Sequence, residues 1–264
     1  MDLGIAGKVA WVYGGASGLG RAAASALAAE GVHVAISSGS DDTLKEVASQ
    51  IAADAGTRCT AVPLDVTNGH AVTVAARRLE AELGPVDILV TIAGGPPPGE
   101  FESTDDDALH DAFTLTTASA WRLAKSVVPG MKARESGRLI FVAPSSKKEI
   151  ITTLLLSNMM RAALVGMARS LSKDFGAHGV RVVCMAPGRI ETKHLAQTAD
   201  AAARPAGETL QEVRAAVRAT VPIDHYGAPE EFGDVVAWLA SERAPFINGT
   251  TVVVDPETLN GVPG

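Results

Sequence analysis

Along the first half of the chain, short runs of β-branched and other apolar residues alternate with longer stretches whose apolar residues recur every three or four positions. A strand covered on both faces needs no polar alternation, so continuous apolar runs predict parallel strands and the longer stretches predict crossover helices between them. The runs fall at Val9–Tyr13, Val32–Ser37, Cys59–Val62, Ile88–Ile92, Arg138–Ala143, Val180–Met185 and Thr251–Val254. Helices are expected to begin near Gly18, Asp41, Gly69, Asp105, Thr153 and Pro229, several behind Asp, Ser, Thr or Asn residues suited to capping. The rhythm predicts an α/β fold, a doubly wound, seven-stranded parallel sheet flanked by helices, in a single domain over residues 1–264.

Two stretches break the rhythm. Residues Gly94–Gly99 read Gly-Gly-Pro-Pro-Pro-Gly and follow a strand; proline has no N–H to give a ladder, so this is a loop at a strand's C-terminal end. The second, from about Glu191 to Pro222, is rich in alanine and carries a helical pattern near Glu208–Ala219 without a strand of its own, which marks a candidate substrate lid.

Composition narrows the class of protein. With 23 basic and 30 acidic residues the net charge is -7 and no basic stripe stands out, which disfavours a nucleic-acid partner. Cys59 and Cys184 each lie inside an apolar run and read as core thiols rather than a disulfide framework. The N-terminus lacks a cationic-then-apolar signal pattern and no apolar run is long enough to span a bilayer, so a cytoplasmic protein with no membrane partner is expected.

The segment Tyr13-Gly14-Gly15-Ala16-Ser17-Gly18-Leu19-Gly20-Arg21 joins the first strand to the first helix. Small residues there let the backbone approach a pyrophosphate while the helix N-terminus offers N–H donors and the positive end of its dipole. Such a turn also serves plain helix–sheet packing, but its place at the first crossover favours a dinucleotide site.

The spacing Gly14-x-x-x-Gly18-x-Gly20 resembles the glycine loop of the short-chain dehydrogenase/reductases, and further markers follow in that family's order. Asp65-Val66 looks like its adenine-contacting pair, and Ala93-Gly94 like the end of its Asn-Asn-Ala-Gly segment, with Thr91 and Ile92 in place of the two Asn. Pro187-Gly188-Arg189-Ile190-Glu191-Thr192 is similar to its nicotinamide clamp. The resemblance spans essentially the whole chain and implies a nicotinamide cofactor held by Gly14, Ser17, Gly18, Leu19, Gly20, Ser38, Asp65, Val66, Ala93, Gly94, Arg161, Pro187, Gly188, Ile190 and Thr192. The alternative role for Asp65 is a cap on the helix beginning near Gly69, and for Thr192 a cap on the segment that follows it. At the end of the second strand Ser38 stands where NAD users of the family carry Asp, which leans the expectation to NADP; Gly39 supplies no Arg for a 2′-phosphate and Asp41-Asp42 lie nearby, so NAD stays open.

The catalytic positions depart from the family. In the register fixed by Arg161-Ala162-Ala163-Leu164, its Tyr becomes Ser157 and its Lys becomes Arg161; its Ser falls at Pro144, beside Ser145 and Ser146, and its Asn near Thr116. A tyrosine with a lowered pKa exchanges a proton near neutrality, whereas a serine needs an adjacent base and an arginine stays protonated. Ser157 and Arg161 are four residues apart and share a helix face. Lys148, in Ser146-Lys147-Lys148, is the candidate proton donor, since a lysine desolvated beside a cation has a depressed pKa; a solvated loop charge is the plain alternative. The turn Ser146 to Lys148 together with Leu156-Ser157-Asn158-Met159-Met160-Arg161 is similar to divergent 3-oxoacyl-acyl-carrier-protein-reductase-like members of the family. Tyr13, Tyr226 and His225 read as packing or turn residues.

The function implied is NAD(P)-dependent reduction of a carbonyl or other polarised double bond on a small-molecule substrate, without a metal. A catalytically silent dinucleotide-binding protein and a non-redox enzyme on the same scaffold are the alternatives. The family commonly assembles as dimers or tetramers through two long helices, here near Asp105–Ala133 and Thr153–Gly176.

Overall fold

The computed structural model describes residues 1–39, 42–143, 153–192, 209–219 and 221–256. In chain order the elements are β1 (Val9–Tyr13), α1 (Gly18–Ala29), β2 (His33–Ser37), α2 (Asp42–Ala55), β3 (Cys59–Ala61), α3 (Gly69–Leu83), β4 (Ile88–Thr91), α4 (Asp106–Ala112), α5 (Ser119–Ala133), β5 (Gly137–Val142), α6 (Leu155–Phe175), β6 (Val180–Pro187), α7 (Leu210–Arg218), α8 (Pro229–Ala240) and β7 (Thr251–Val254). All strand pairs are parallel, in the order β3-β2-β1-β4-β5-β6-β7. The strand order reverses between β1 and β4, and the chain leaves these neighbours toward opposite faces. That divergence opens a crevice at their C-terminal ends, where open α/β sheets bind ligands.

Alternate side chains of the central strands feed two cores. Ala10 and Val12 of β1 pack with Leu27 of α1 and Phe232 of α8, while Trp11 and Tyr13 pack with Leu79 of α3, Leu123 of α5 and Leu164 of α6. Because both faces are covered, β1 is buried at every position, as its continuous apolar run predicts. Trp11 is fully buried, and its indole N–H donates to the hydroxyl of buried Ser37 at 2.8 Å. Trp11→Phe leaves that hydroxyl without its donor and is expected to cost about 1–3 kcal/mol, read from the midpoint of urea unfolding.

The long helix expected from Asp105 to Ala133 is instead two α-helices joined by a π-helical segment, Phe113–Ala118. Hydroxyls within it compete for the carbonyl ladder: Thr116 donates to Ala112, and Ser119 to Leu115 and Thr116. Such back-bonding widens a helical turn, and π segments of this kind recur at functional sites. Two caps are of the expected residue types. Asn68 accepts from the N–H groups of His70 and Ala71 to start α3, and Asp105 accepts from Ala108 to start α4, so Asp65 is not the cap of α3. α6 starts at Leu155, two residues after the predicted Thr153. The expected lid contributes α7 among its described residues.

No disulfide joins the cysteines; Cys184 is buried, and burial pushes the half-buried Cys59 thiol up to about 12. The native protein is therefore expected to give no fast reaction with a thiol reagent at pH 8, and two equivalents once denatured. A fast native equivalent would contradict this placement.

Candidate dinucleotide and substrate cleft

The crevice between β1 and β4 is a cleft of about 410 Å³. One wall is the glycine loop and start of α1: Gly14, Ala16, Ser17, Gly18, Leu19 and Gly20. The opposite wall comes from the end of β4 and its following loop, from the π segment and α5, and from one face of α6.

Backbone contact, not side-chain chemistry, builds the first wall. Gly14 has φ +85°, and a Cβ there would collide with the Ile92 carbonyl oxygen; a Cβ on Gly20 would collide with the Gly14 carbonyl. The loop thus folds tightly onto the start of α1. Ser17 stands at the N-cap of α1 in extended conformation, yet its side chain makes no capping bond, so the helix's first N–H groups are not blocked by it. A cradle of this shape at a helix N-terminus fits the pyrophosphate of a dinucleotide. Ser38 at the end of β2 also lines the cleft, with no carboxylate at that position.

The opposite wall carries the departures noted in the sequence. Ser157, Met160, Arg161 and Leu164 occupy one face of α6 at intervals of three and four residues, and all four line the cleft. Ser157 is buried, only 4% exposed, and its hydroxyl has no hydrogen-bond partner among the described residues. A Cβ built on Gly95 would stand 3.9 Å from that oxygen, which places the hydroxyl against the loop after β4. Burial lowers the pKa of the Arg161 guanidinium, which nevertheless remains a cation. Thr116 reaches the cleft from the π segment, but its hydroxyl proton is committed to the Ala112 carbonyl. Among the described lining residues Arg161 is the one titratable side chain.

Several expected residues lie around the cleft rather than in its wall. Asp65 is exposed and accepts from the hydroxyl and the backbone N–H of Thr67; these bonds hold its carboxyl below its usual range. Val66 is buried in the core. Pro187 ends β6, and the N–H of Gly188 donates to Val254, with the Asp255 carboxylate packed where a Gly188 Cβ would be. Ile190 is buried and bridges to Gly227; the N–H groups of Glu191 and Gly227 donate to Gly227 and Arg189, so this clamp presents Thr192 to the cleft beside Gly18. Ala93 and Gly94 line the cleft. Ser146 and Lys148 lie outside the described residues.

Tyr13 is buried, and its phenol is raised first by desolvation and then by the charge of Asp65, which fits packing rather than proton transfer. His225 is exposed, its Nδ1 2.8 Å from the Ile223 carbonyl, and neither it nor Tyr226 lines the cleft. Residues not singled out from sequence complete the wall: Gly95 and Pro96, Ala120, Val142, Met160 and Leu164. Helical spacing was the available signal for three of them, since Met160 and Leu164 share the face of Ser157 and Arg161 and Ala120 lies one turn beyond Thr116.

No group of His, Cys, Asp and Glu suited to a metal occurs among the described residues, and none of their helices is long and apolar enough to cross a membrane.

Comparisons with known proteins agree with this architecture. The sequence profile described as Enoyl-(Acyl carrier protein) reductase matches residues 14–256. The 2,3-dihydro-2,3-dihydroxybenzoate dehydrogenase of Bacillus subtilis (strain 168) is 28% identical over 259 residues, covering 98% of each chain. The 3-oxoacyl-[acyl-carrier-protein] reductase FabG of Escherichia coli (strain K12) is 29% identical over 254 residues, covering 94% of this chain and 96% of FabG. Among solved structures, L-sorbose reductase from Gluconobacter frateurii, complexed with NADPH and L-sorbose, superposes with a TM-score of 0.94 at 30% identity, covering 99% of this chain and 100% of that one. With its reversed strand order, glycine cradle and clamp, and matches running nearly end to end, the chain belongs to the short-chain dehydrogenase/reductase family.

Proposed function

We propose that the protein is an NADP-dependent oxidoreductase that reduces a carbonyl or other polarised double bond of a small molecule, with Ser157 and Arg161 holding the substrate oxygen in place of a tyrosine–lysine pair. The observation that carries this reading is the shared cleft, in which the glycine cradle faces an unbonded Ser157 hydroxyl and the Arg161 cation. Gly14, Ser17, Gly18, Leu19 and Gly20 would hold the pyrophosphate, Ser38 the adenosine ribose, and Ala93, Gly94, Ile190 and Thr192 would border the nicotinamide. Asp65 and Val66 would flank the adenine, and Pro187 and Gly188 would set the clamp's path. The bound coenzyme supplies a hydride. What the chain's own residues supply is orientation and positive potential where negative charge develops on the substrate. Thr116 would contribute position through the π segment, and residues 191–222 would close over the substrate as a lid. A silent binding protein would have no use for an unbonded hydroxyl beside a cation in its cleft.

Ser38 supports NADP, because no acidic side chain there repels a 2′-phosphate. Ser38→Asp is expected to move the ratio of NADPH to NADH affinity by on the order of tenfold or more toward NADH, since like charges placed together cost several kcal/mol. Fluorescence titration of both coenzymes checks this. The reading itself is tested by following NADPH oxidation with a panel of ketones, quinones, enones and acyl thioesters. Coenzyme-dependent turnover of one class supports it; tight NADPH binding with no turnover of any would favour the silent alternative. The assembly proposed is a homodimer or homotetramer. Trp121 on α5 and Met159 on α6, 49% and 45% exposed, offer apolar surface on the two long helices for a second copy.

A further inference from the structure

We infer that Gly95 sets the substrate specificity of the cleft. Its bare backbone, beside the Ser157 hydroxyl, seats the second carbon chain of a ketone, so the substrates are ketones with a chain on both sides of the carbonyl. This rests on the reductase reading, in which Ser157 meets the substrate oxygen, and specifies the shape of substrate which that reading admits.

The chain between β4 and α4 is a strap anchored at both ends. It leaves the sheet at Ile92, whose N–H donates to the Tyr13 carbonyl at 3.0 Å. At its far end a short parallel bridge ties it to the start of α6: the Gly99 N–H donates to the Thr153 carbonyl at 2.8 Å, and the Leu155 N–H to the Gly99 carbonyl at 3.3 Å. Glu100 then closes a turn, its N–H donating to the Ser103 hydroxyl and its carbonyl accepting from the hydroxyls of Ser103 and Thr104. Between the anchors run Pro96, Pro97 and Pro98, each with its φ held by the ring. A segment tied at both ends and stiffened in this way does not retreat from a ligand beneath it. What it covers is the cleft, which Gly94, Gly95 and the buried Pro96 line together with Ser157 and Met160.

Gly14 and Gly20 are glycines because a Cβ at either would strike a carbonyl oxygen. Gly95 is under no such demand. Its φ is not positive, and a Cβ built on it would stand 3.9 Å from the Ser157 hydroxyl oxygen, an ordinary van der Waals distance. An alanine methyl would therefore fit the fold and stand in the cleft against that hydroxyl. Glycine keeps the place open. A ketone whose oxygen turns to Ser157 and Arg161 can then lay its second chain on the backbone at Gly95, whereas an aldehyde has only hydrogen to put there. Burying that chain contributes about fourfold in binding per methylene. Pro96 and Met160, both buried, add apolar surface to the same cleft, and the Met160 sulfur accepts from the Thr117 hydroxyl at 3.4 Å, which holds that side chain in place.

Gly95→Ala and Gly95→Val test this with octanal, 2-octanone and 4-octanone, which share a carbon count and differ in the length of the second chain. With NADPH as reductant, Gly95→Val is expected to lower kcat/KM on the order of a hundredfold for 4-octanone, about tenfold for 2-octanone and less than about threefold for octanal, the range over which a pocket discriminates by size. The loss should fall on KM, with NADPH affinity within about twofold of the parent protein. Gly95→Ala should give the same order in smaller steps and unfold in urea at or above the parent midpoint, since its methyl meets no backbone. A lower midpoint for Gly95→Ala would show that the fold itself demands the glycine and would overturn the inference. Equal losses for the three substrates, or a parent protein that reduces octanal but not 4-octanone, would overturn it and leave the reductase reading standing. Reduction of none of the three would overturn it too, and turnover of the wider panel then decides the reading beneath it. Failure to bind NADPH would overturn that reading directly.

Discussion

Gly20→Val is expected to raise the dissociation constant for NADPH at least a hundredfold, equivalent to about 2.8 kcal/mol of binding free energy. The cause is local. A Cβ at residue 20 falls on the Gly14 carbonyl, so any side chain pushes the loop away from the start of α1. The N–H groups at that helix start then lose their shared focus, and with it their combined attraction for a pyrophosphate. The loop's other contacts reinforce the fit: Gly14 and Gly15 donate their N–H groups to the Ser37 carbonyl, which ties the cradle to the end of β2. Fluorescence titration gives the binding change, and urea unfolding of the same variant separates lost binding from lost folding. Gly20→Ala should lose less than valine but stay well below the parent protein. Retention of parental affinity by Gly20→Val would mean that the coenzyme lies elsewhere.

Arg161→Ala is expected to slow single-turnover reduction about 10² to 10³-fold, the usual cost of removing one preorganised donor to an oxyanion. Because Arg161 also stands where the family's lysine meets the nicotinamide ribose, a weaker NADPH affinity should accompany the slower chemistry. Arg161→Lys keeps the charge and should recover part of both. Ser157→Ala removes a neutral hydrogen bond, so its loss should be smaller, near tenfold, and should fall on the chemical step with coenzyme affinity unchanged. Rapid mixing of pre-bound NADPH with substrate reads both variants, and equal loss from Arg161→Ala in affinity alone would confine the arginine to the coenzyme.

The parts of this picture that could be read from the chain are those governed by short-range rules. Strand periods and turn residues locate all seven strands to within about two residues, because a two-sided sheet demands continuous apolar runs. The glycine cradle is equally legible, since the steric need at Gly14 and Gly20 leaves one residue type. What escaped depends on three-dimensional competition. The break at Phe113–Ala118 arises from hydroxyls of Thr116 and Ser119 bonding back along the helix, a choice that intrinsic propensity does not reveal. The alternative role of Asp65 as cap of α3 falls away because Asp65 turns onto Thr67, leaving the cap to Asn68. Met160 and Leu164 enter the cleft only once the rotation of α6 is known, although their spacing from Ser157 made them legible in retrospect.

The central claim is that the cleft between β1 and β4 holds NADP(H). Isothermal titration of the purified protein with NADPH tests it most directly. The account predicts saturable binding of one NADPH per chain, weaker binding of NADH, and loss of the heat signal in Gly20→Val. Absence of binding by the folded parent protein, or binding that Gly20→Val leaves intact, would contradict it.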